Sequence, residues 1–567
     1  MMDKLSMEVR MLIAMLLVGI VFAVSQYLMP PPPDQPAADK SAVADQNKAA
    51  KAAQAAPAVA TSGTAAAPAE VPGQIQAAQA EAFTIETDLF KVAFSNRGAT
   101  VRNWVLKAYK DSKGQALELV NQRALQLTGN KALPPPFALA FKNAPSNDPN
   151  DDLYRITRSG DGLGVTFEFS DGRITAKKSF QFTKSSYLVK VSSQVIENGV
   201  LLPHSMVWRG GFGDSTGTNP TADARSLYYD ISGKSLEKQE ASDAKDGPVS
   251  ASGNYAFAGL EDKYFAGVAL VGSETGTTGG SMELTTYSDN VPTEAGKDEA
   301  HVGAAMGGSG ANTFQLYAGP KDIDLLQTVD PRLPQVIDWG WFFFIAKPLF
   351  YALQWTASRL THNYGWAIIL LTIVINTILF PLRLSSMKSS KKMQGIQPLV
   401  KQINDKYQGL SMNDPKKADQ NTELMDLYKK HDINPVGGCL PMLLQIPFFY
   451  ALYKVLSLAI EMRGAEWLWV ADLSQPESMA IRALPLLLVI TQFLSQKMTP
   501  SPGMDPSQQK IMMFMPLMFG YMFWYASAGL VLYWLTSNVV SIAQQWLLNR
   551  NTSAPALAVV VPPKKKK

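Results

Sequence analysis

Residues 363–388 read NYGWAIILLTIVINTILFPLRLSSMK, a mainly apolar stretch that contains a few polar side chains. Its apolar part, 363–382, has about the 20 residues that a helix needs to cross a bilayer. It nevertheless contains Thr372 and Asn376, and Arg383 follows directly after it. At about 100° per residue, Asn376 lies about 40° and Arg383 about 20° from Thr372, so the three form one stripe roughly 16 Å long. The stretch therefore predicts a membrane helix with one polar face.

A polar face is costly in lipid, by about 2.5–3.5 kcal/mol for a central Arg or Lys on insertion scales. It should therefore face either a wet cavity or a neighbouring helix. The second alternative is a set of interhelical hydrogen bonds worth roughly 0.6 kcal/mol each. Because the stripe ends in Arg383, we favour a polar cavity that opens to the cytosol.

Four further apolar segments follow at 437–459, 481–498, 511–527 and 529–548. Several contain proline or glycine, which membrane helices tolerate when neighbouring helices re-satisfy the backbone. They also carry polar side chains that we add to the predicted groove. These are Gln445, Gln492, Ser537 and Asn538.

The N-terminal segment 1–29 supplies one more candidate span, MLIAMLLVGIVFAVSQYL, after a short charged stretch. A cleaved signal peptide is the alternative, because Ala23–Ser25 resembles a small-residue cleavage site. We favour an uncleaved anchor, since the apolar run is long for a signal core. Residues 30–80 are rich in Ala and Pro and predict a disordered linker. The total is six spans.

Residues 82–330 alternate apolar and polar side chains, as in GVTFEFSDGRITAKKSFQF, and are punctuated by Gly, Asn and Asp. This period of two predicts an all-β domain, most simply a sandwich. The single cysteine, Cys439, excludes an intramolecular disulfide. The fold class is thus a polytopic α-helical membrane protein with a β-sandwich domain.

Residues 333–355, LPQVIDWGWFFFIAKPLFYALQW, mix aromatic side chains with Asp338 and Lys347. This mixture favours an amphipathic helix in the membrane interface, with a soluble core helix as the alternative.

Lysine and arginine are concentrated between 383 and 432 and in the tail 549–567, which ends in Lys564–Lys567. Positive charge marks the cytoplasmic side, so the β domain is expected on the periplasmic side. Within 385–432, Met393, Ile396 and Val400 begin a 3,4 spacing that predicts a cytoplasmic helical hairpin. The basic tail could touch ribosomes or anionic lipid.

No motif indicates an enzyme, a metal site or a cofactor. The four histidines match no metal spacing, and the net charge of +4 with 18% charged residues gives no bulk signal for nucleic acid. A Ser–Lys protease would need Ser385 with Lys388 or Ser389 with Lys392, a pattern that arises easily by chance. A solute transporter using the same polar cavity is a further alternative.

A conduit for polypeptides would also need an adaptable apolar surface. The segment 511–525, IMMFMPLMFGYMFWY, carries flexible thioether side chains that pack against varied partners, although core filling would also explain them. The candidates for hydrophobic substrate contact are Met512, Met515 and Met518.

Four segments resemble the membrane protein insertase family YidC: NYGWAIILLTIVINTILFPL, INPVGGCLPMLLQIPFFYALYKVL, DPSQQKIMMFMPLMFGYMFW and SAGLVLYWLTSNVVSIAQQ. TDLFKVAFSNRGATVRNWVL resembles the start of that family's periplasmic domain. The resemblance implies a five-helix core with an inward-open groove, within 363–548. It also implies nascent membrane proteins and the Sec translocon as partners, and no cofactor.

One departure from the pattern of the family bears on the predicted groove. The family's groove arginine, counted back from the FPL motif at Phe380–Leu382, falls on Asn376. Arg383 lies seven residues further along, two helical turns away on the same face. A long arginine side chain can reach back toward the groove, so the charge is predicted to be relocated to Arg383. The alternative is that Arg383 only flanks the span.

Overall fold

The computed structural model describes residues 73–217, 220–272, 279–294, 296–381, 383–384, 392–393, 395–407, 416–431, 433, 440–479, 481–498 and 506–551. Several predicted features lie outside these residues: the anchor, most of the linker, Cys439, Ser385, Lys388, Ser389 and the lysine tail. So does the side chain of Met512, although its backbone is part of a described helix.

The first half of the described chain forms 18 strands. In order they are β1 Ala82–Glu86, β2 Phe90–Ser95, β3 Thr100–Lys110, β4 Ala116–Glu118, β5 Leu139–Phe141, β6 Arg155–Arg158, β7 Gly164–Ser170, β8 Ile174–Phe182, β9 Leu188–Glu197, β10 Val200–Leu201, β11 His204–Trp208, β12 Arg225–Asp230, β13 Ser235–Gln239, β14 Val249–Glu261, β15 Phe265–Leu270, β16 Gly280–Pro292, β17 Asp298–Ser309 and β18 Ala311–Pro320.

The described α-helices begin with one short helix inside the β domain and continue through the second half of the chain. They are α1 Gln122–Leu125, α2 Ile323–Val329, α3 Phe343–Thr356, α4 Tyr364–Ile378, α5 Gln397–Lys406, α6 Lys416–Lys430, α7 Leu440–Leu458, α8 Ala483–Met498, α9 Pro506–Trp524 and α10 Ala528–Asn551.

The strands build two antiparallel sheets. One sheet has the order β1-β2-β3-β4. The other follows β5-β11-β17-β16-β14-β15-β18-β9-β8-β7-β6, with β10 beside β9 and with β12 joining β13 to β14. Strand β8 shows why the sheets pack face to face. Every second side chain of its nine residues is buried, and those between are exposed or half-buried, so one face packs inward. The predicted β-sandwich is confirmed.

Aromatic rings hold the two sheets together. Trp104 on β3 is fully buried and meets Phe90 on β2 edge-on, with ring centroids 5.4 Å apart. Phe94 on β2 approaches Phe180 on β8 across the sandwich at 5.0 Å. Rings of this kind bury large areas and gain about 0.5–1.5 kcal/mol per pair from their geometry. The core of the β domain therefore forms without a disulfide, as the cysteine content requires.

In the second half of the chain, α10 contacts α4, α7 and α8. Its segment Leu530–Tyr533 is buried, and Trp534 meets Phe449 on α7 at 4.7 Å and Phe523 on α9 at 4.8 Å. This arrangement puts one helix at the junction of several others.

Among the described helices, none meets both the length and the apolarity expected of a membrane-crossing segment.

Helices α5 and α6 pack against each other through a small separate cluster. Ile396, Val400 and Ile433 are buried there. Gln420 donates to Asn404 at 2.9 Å, and Lys406 forms an ion pair with Glu423. Ile396 and Val400 of the predicted 3,4 seam are buried in the cluster, and Met393 packs against it.

The β domain and the helical part meet around the loop after α7. Arg463 in this loop pairs with Asp214 of the β domain, and both side chains are less than 10% exposed. Arg463 also donates to the backbone oxygen of Lys110 at 2.7 Å. Nearby, Lys454 on α7 contacts Asp338 at 2.9 Å. These contacts tie two parts of the chain that lie far apart in sequence.

Glu461 lies beside this junction and makes the stability of the protein depend on pH. One of its carboxylate oxygens is buried and has no hydrogen-bond partner among the described residues. Burial, together with the negative charges of Asp322 and Asp324, raises the pKa of Glu461 to about 7. The protonated form therefore contributes stability at acid pH, and that contribution is lost as the pH rises from about 4.3 to about 7.

We expect Glu461→Gln to raise the free energy of unfolding by about 3–4 kcal/mol at pH 8 and to change it little at pH 4. Thermal unfolding of the purified protein between pH 4 and pH 8 measures the difference. Glu466→Gln, at an exposed glutamate of the same loop, is the control and should leave the pH profile unchanged. Parallel profiles for the wild type and Glu461→Gln would contradict the prediction.

Candidate substrate groove

The candidate site is built along a polar face of α10. Ser537, Ser541 and Gln544 recur at steps of four and three residues, so they lie on one side of the helix, toward α4. Ser541 donates to the backbone oxygen of Ser537 at 2.7 Å. This bond back along the helix satisfies the hydroxyl hydrogen and leaves its lone pairs free to accept from other helices.

Arg383 connects three parts of the helical region. Its guanidinium donates to Ser541 on α10 at 2.6 Å and to Gln445 on α7 at 2.8 Å. The side chain is half-buried. Both of these partners are neutral, so the network retains a positive charge. A guanidinium suits this task because its planar fork offers several donors in fixed directions.

Thr372 and Asn376 lie deeper and are only 2% and 3% exposed. Thr372 donates to the oxygen of Ile368 at 2.6 Å, and the Asn376 amide donates to the oxygen of Thr372 at 2.8 Å. Ser537 and Gln544 reach Asn376 from α10 at 3.4 and 3.3 Å. Asn376 is therefore hydrogen-bonded to α10, whereas the bonds of Thr372 stay within α4.

Asn538 forms a second polar contact on a different side of α10. Its amide donates to Gln492 on α8 at 2.8 Å and approaches Thr491 at 3.4 Å. All three side chains are half-buried or exposed at the helix surface. The polar contacts of α10 thus form two groups. One group faces α4 and α7, and the other faces α8.

Helix α9 presents the apolar surface. Met518 is 63% exposed and Met515 is half-buried. The exposed large side chains of this helix are Met513, Phe514, Leu517, Met518, Tyr521 and Met522. A contiguous apolar face of this size marks an interaction surface or a lipid-facing surface.

Sequence reasoning missed Ser541, Gln544 and Thr491. The spacing Ser537–Ser541–Gln544 was available as a signal, since it repeats the helical period along the last apolar segment. One side-chain oxygen of Gln544 is buried and has no hydrogen-bond partner among the described residues. The amide nitrogen of the same side chain donates to the backbone oxygen of Asn376 at 3.3 Å.

No group of three or more His, Cys, Asp or Glu side chains within the described part of the chain is arranged to hold a metal ion. The polar network described here offers hydrogen-bond donors and acceptors and the positive charge of Arg383.

Two family models match consecutive parts of the chain. Residues 82–352 match the family model described as the YidC periplasmic domain, and residues 355–555 match that of the 60Kd inner membrane protein. A membrane protein insertase YidC from Geotalea daltonii is 33% identical and covers 97% of this chain and 100% of its own length. A membrane protein insertase YidC from Pelobacter propionicus is 34% identical and covers 96% of this chain and 99% of its own length. The solved structure of an active YidC insertase with its first transmembrane domain resolved is 17% identical, covers 83% of this chain and 94% of its own, and has a TM-score of 0.35.

Together, the two matched models define the class, an inner membrane protein with a separate periplasmic domain of β-sandwich fold. The chain belongs to the YidC family of membrane protein insertases.

Proposed function

We propose that this chain inserts nascent membrane proteins into the bacterial inner membrane and helps them fold. The observation that carries this function is the half-buried Arg383, held between Gln445 and Ser541 by neutral partners. Such a group can receive the polar, often acidic, flank of an entering polypeptide before that flank crosses the apolar layer. Family membership supports the same activity, because the full-length relatives carry the name insertase.

The proposed division of labour follows from the two kinds of surface. The polar flank of the substrate would bind Arg383, Gln445 and the Gln492–Asn538 pair. Its apolar segment would lie along α9, where Met515 and Met518 adapt to different side chains. Burial of that segment supplies about 25 cal/mol per Å² of apolar surface, so no nucleotide needs to drive the step.

The proposed topology has the β domain in the periplasm and six membrane spans, with α5, α6 and the tail in the cytoplasm. The distribution of lysine and arginine supports this orientation. The Sec translocon, ribosomes and anionic lipids are proposed partners on the same basis of family resemblance and charge.

Site-specific photocrosslinking to a ribosome-stalled nascent membrane protein tests the groove. A crosslinker at Arg383 or Met515 is expected to capture the nascent chain at least tenfold more than one at Asn376, which is 3% exposed. Exposed Lys142 of the β domain serves as the control position.

Equal capture from Lys142 would contradict the proposed groove. Reconstituted vesicles distinguish the transporter alternative: protease-protected insertion of a small membrane protein is expected, and uptake of labelled solutes without insertion would refute an insertase.

A further inference from the structure

A cavity of about 610 Å³ lies where the β domain meets α3. Its walls come from β12 and β13, from α2, from the segment between α2 and α3, and from α3 itself. This volume falls within the range of ordinary ligand pockets, roughly 300–1,000 Å³. None of the groove residues described above lines it, so it is a separate site.

Three cations line this cavity: Arg225, Lys238 and Lys347. The one carboxylate on its wall, Asp338, is engaged by Lys454 at 2.9 Å and by the backbone N–H of Gly340 at 2.9 Å. The cavity therefore presents a net positive charge to whatever enters it.

The three cations differ in how far nearby carboxylates neutralise their charge. Lys238 pairs with the buried Glu261 at 2.7 Å, and Glu261 also pairs with Lys321. Arg225 contacts Glu240 at 3.2 Å, and the Glu240 side chain is 55% exposed, so this is a weak surface pair. Lys347 is exposed and forms no ion pair with another described residue. Arg225 and Lys347 are consequently the cations most available to an anion.

Helix α3 gives the cavity an apolar rim. Phe343, Lys347 and Tyr351 follow one another at steps of four residues along one face and all line the cavity. Phe343 and Tyr351 are about half exposed, as is Trp355 one turn beyond. The adjoining face, with Ala346, Phe350 and Leu353, is buried in the protein. A helix with outward aromatic rings around a lysine fits the headgroup level of a bilayer.

We propose that this cavity binds the headgroup of an anionic phospholipid from the leaflet that faces the β domain. Its phosphodiester lies between Arg225 and Lys347, and its acyl chains pass over Phe343 and Tyr351 into the bilayer. The charge selects the phosphate, and the exposed rings select a lipid over a free anion. The proposal rests on the membrane placement given with the proposed function, and it extends that function by anchoring the β domain to the lipid surface.

Native mass spectrometry of the full-length protein, released from nanodiscs of phosphatidylglycerol and phosphatidylethanolamine, tests the site. The wild type should retain one phosphatidylglycerol in preference to phosphatidylethanolamine. At roughly fivefold per basic residue, the double variant Arg225→Gln, Lys347→Gln should lower that retention about 25-fold. The matched control, Lys142→Gln with Arg359→Gln, removes two exposed cations that do not line the cavity and should retain the lipid.

Equal retention by the wild type and the cavity variant would overturn the proposal, as would an equal loss in the control. Displacement of the bound lipid by millimolar inorganic phosphate would show a site for free anions, which also overturns it. Because retention is measured without a nascent chain, its result is independent of insertion. A variant that loses the lipid and still inserts protein, or the reverse, separates this site from the groove.

Discussion

Arg383→Ala is expected to lower insertion of substrates with acidic outer tails by at least tenfold. The variant removes the positive charge and leaves Gln445 and Ser541 without their shared donor. Hydrogen bonds to charged groups contribute about 1.5–3 kcal/mol each, and 1.4 kcal/mol corresponds to a factor of ten. Protease-protected insertion in reconstituted vesicles, and complementation of a strain depleted of its own insertase, measure the loss.

Two companion variants make this test specific. Arg383→Lys keeps the charge but lacks the fork that contacts both partners, so intermediate activity is expected. Arg550→Ala removes an exposed arginine nine residues beyond Ser541 on the same α10 and should insert normally. Full complementation by Arg383→Ala, at equal protein levels, would mean that Arg383 only flanks the span.

The second large effect concerns the junction between the β domain and the helices. Arg463→Ala should lower the free energy of unfolding by about 3–5 kcal/mol, because it leaves Asp214 buried without its cation. It also removes the donor to the Lys110 oxygen and the guanidinium 5.5 Å from the ring of Tyr264. Thermal unfolding, together with proteolytic release of the β domain from vesicles, measures the change.

Replacing both residues of the pair distinguishes the contribution of charge to stability from the contribution of packing. Arg463→Met with Asp214→Leu leaves no unpaired charge and should recover most of the lost stability. Arg158→Ala breaks an exposed pair with Glu81, in which each side chain is about half exposed, and should cost 1 kcal/mol or less. A cost as small for Arg463→Ala as for Arg158→Ala would contradict a structural role for the junction.

The local periodicities in the sequence determined much of the architecture. The alternation in ITAKKSFQF became β8, with one face in the core, because successive side chains on a strand point to opposite sides. The helical spacing of Thr372 and Asn376 likewise predicted a shared face, and the two side chains are both buried and joined by a hydrogen bond along α4. These patterns are readable because the period of a backbone depends only on neighbouring residues.

Which residues meet across that face depends on tertiary packing, and the local periodicities do not contain this information. The sequence named Gln445 and Arg383 separately, but it did not indicate that a guanidinium joins Gln445 to Ser541, 158 positions from Arg383. Nor did it indicate that Thr372 and Asn376 would be buried while Arg383 stays half-exposed. The pairing of Arg463 with Asp214, 249 positions away, was equally hidden. The physical reason is that a helical or strand period fixes the direction of a side chain, whereas its partner depends on how distant segments pack together.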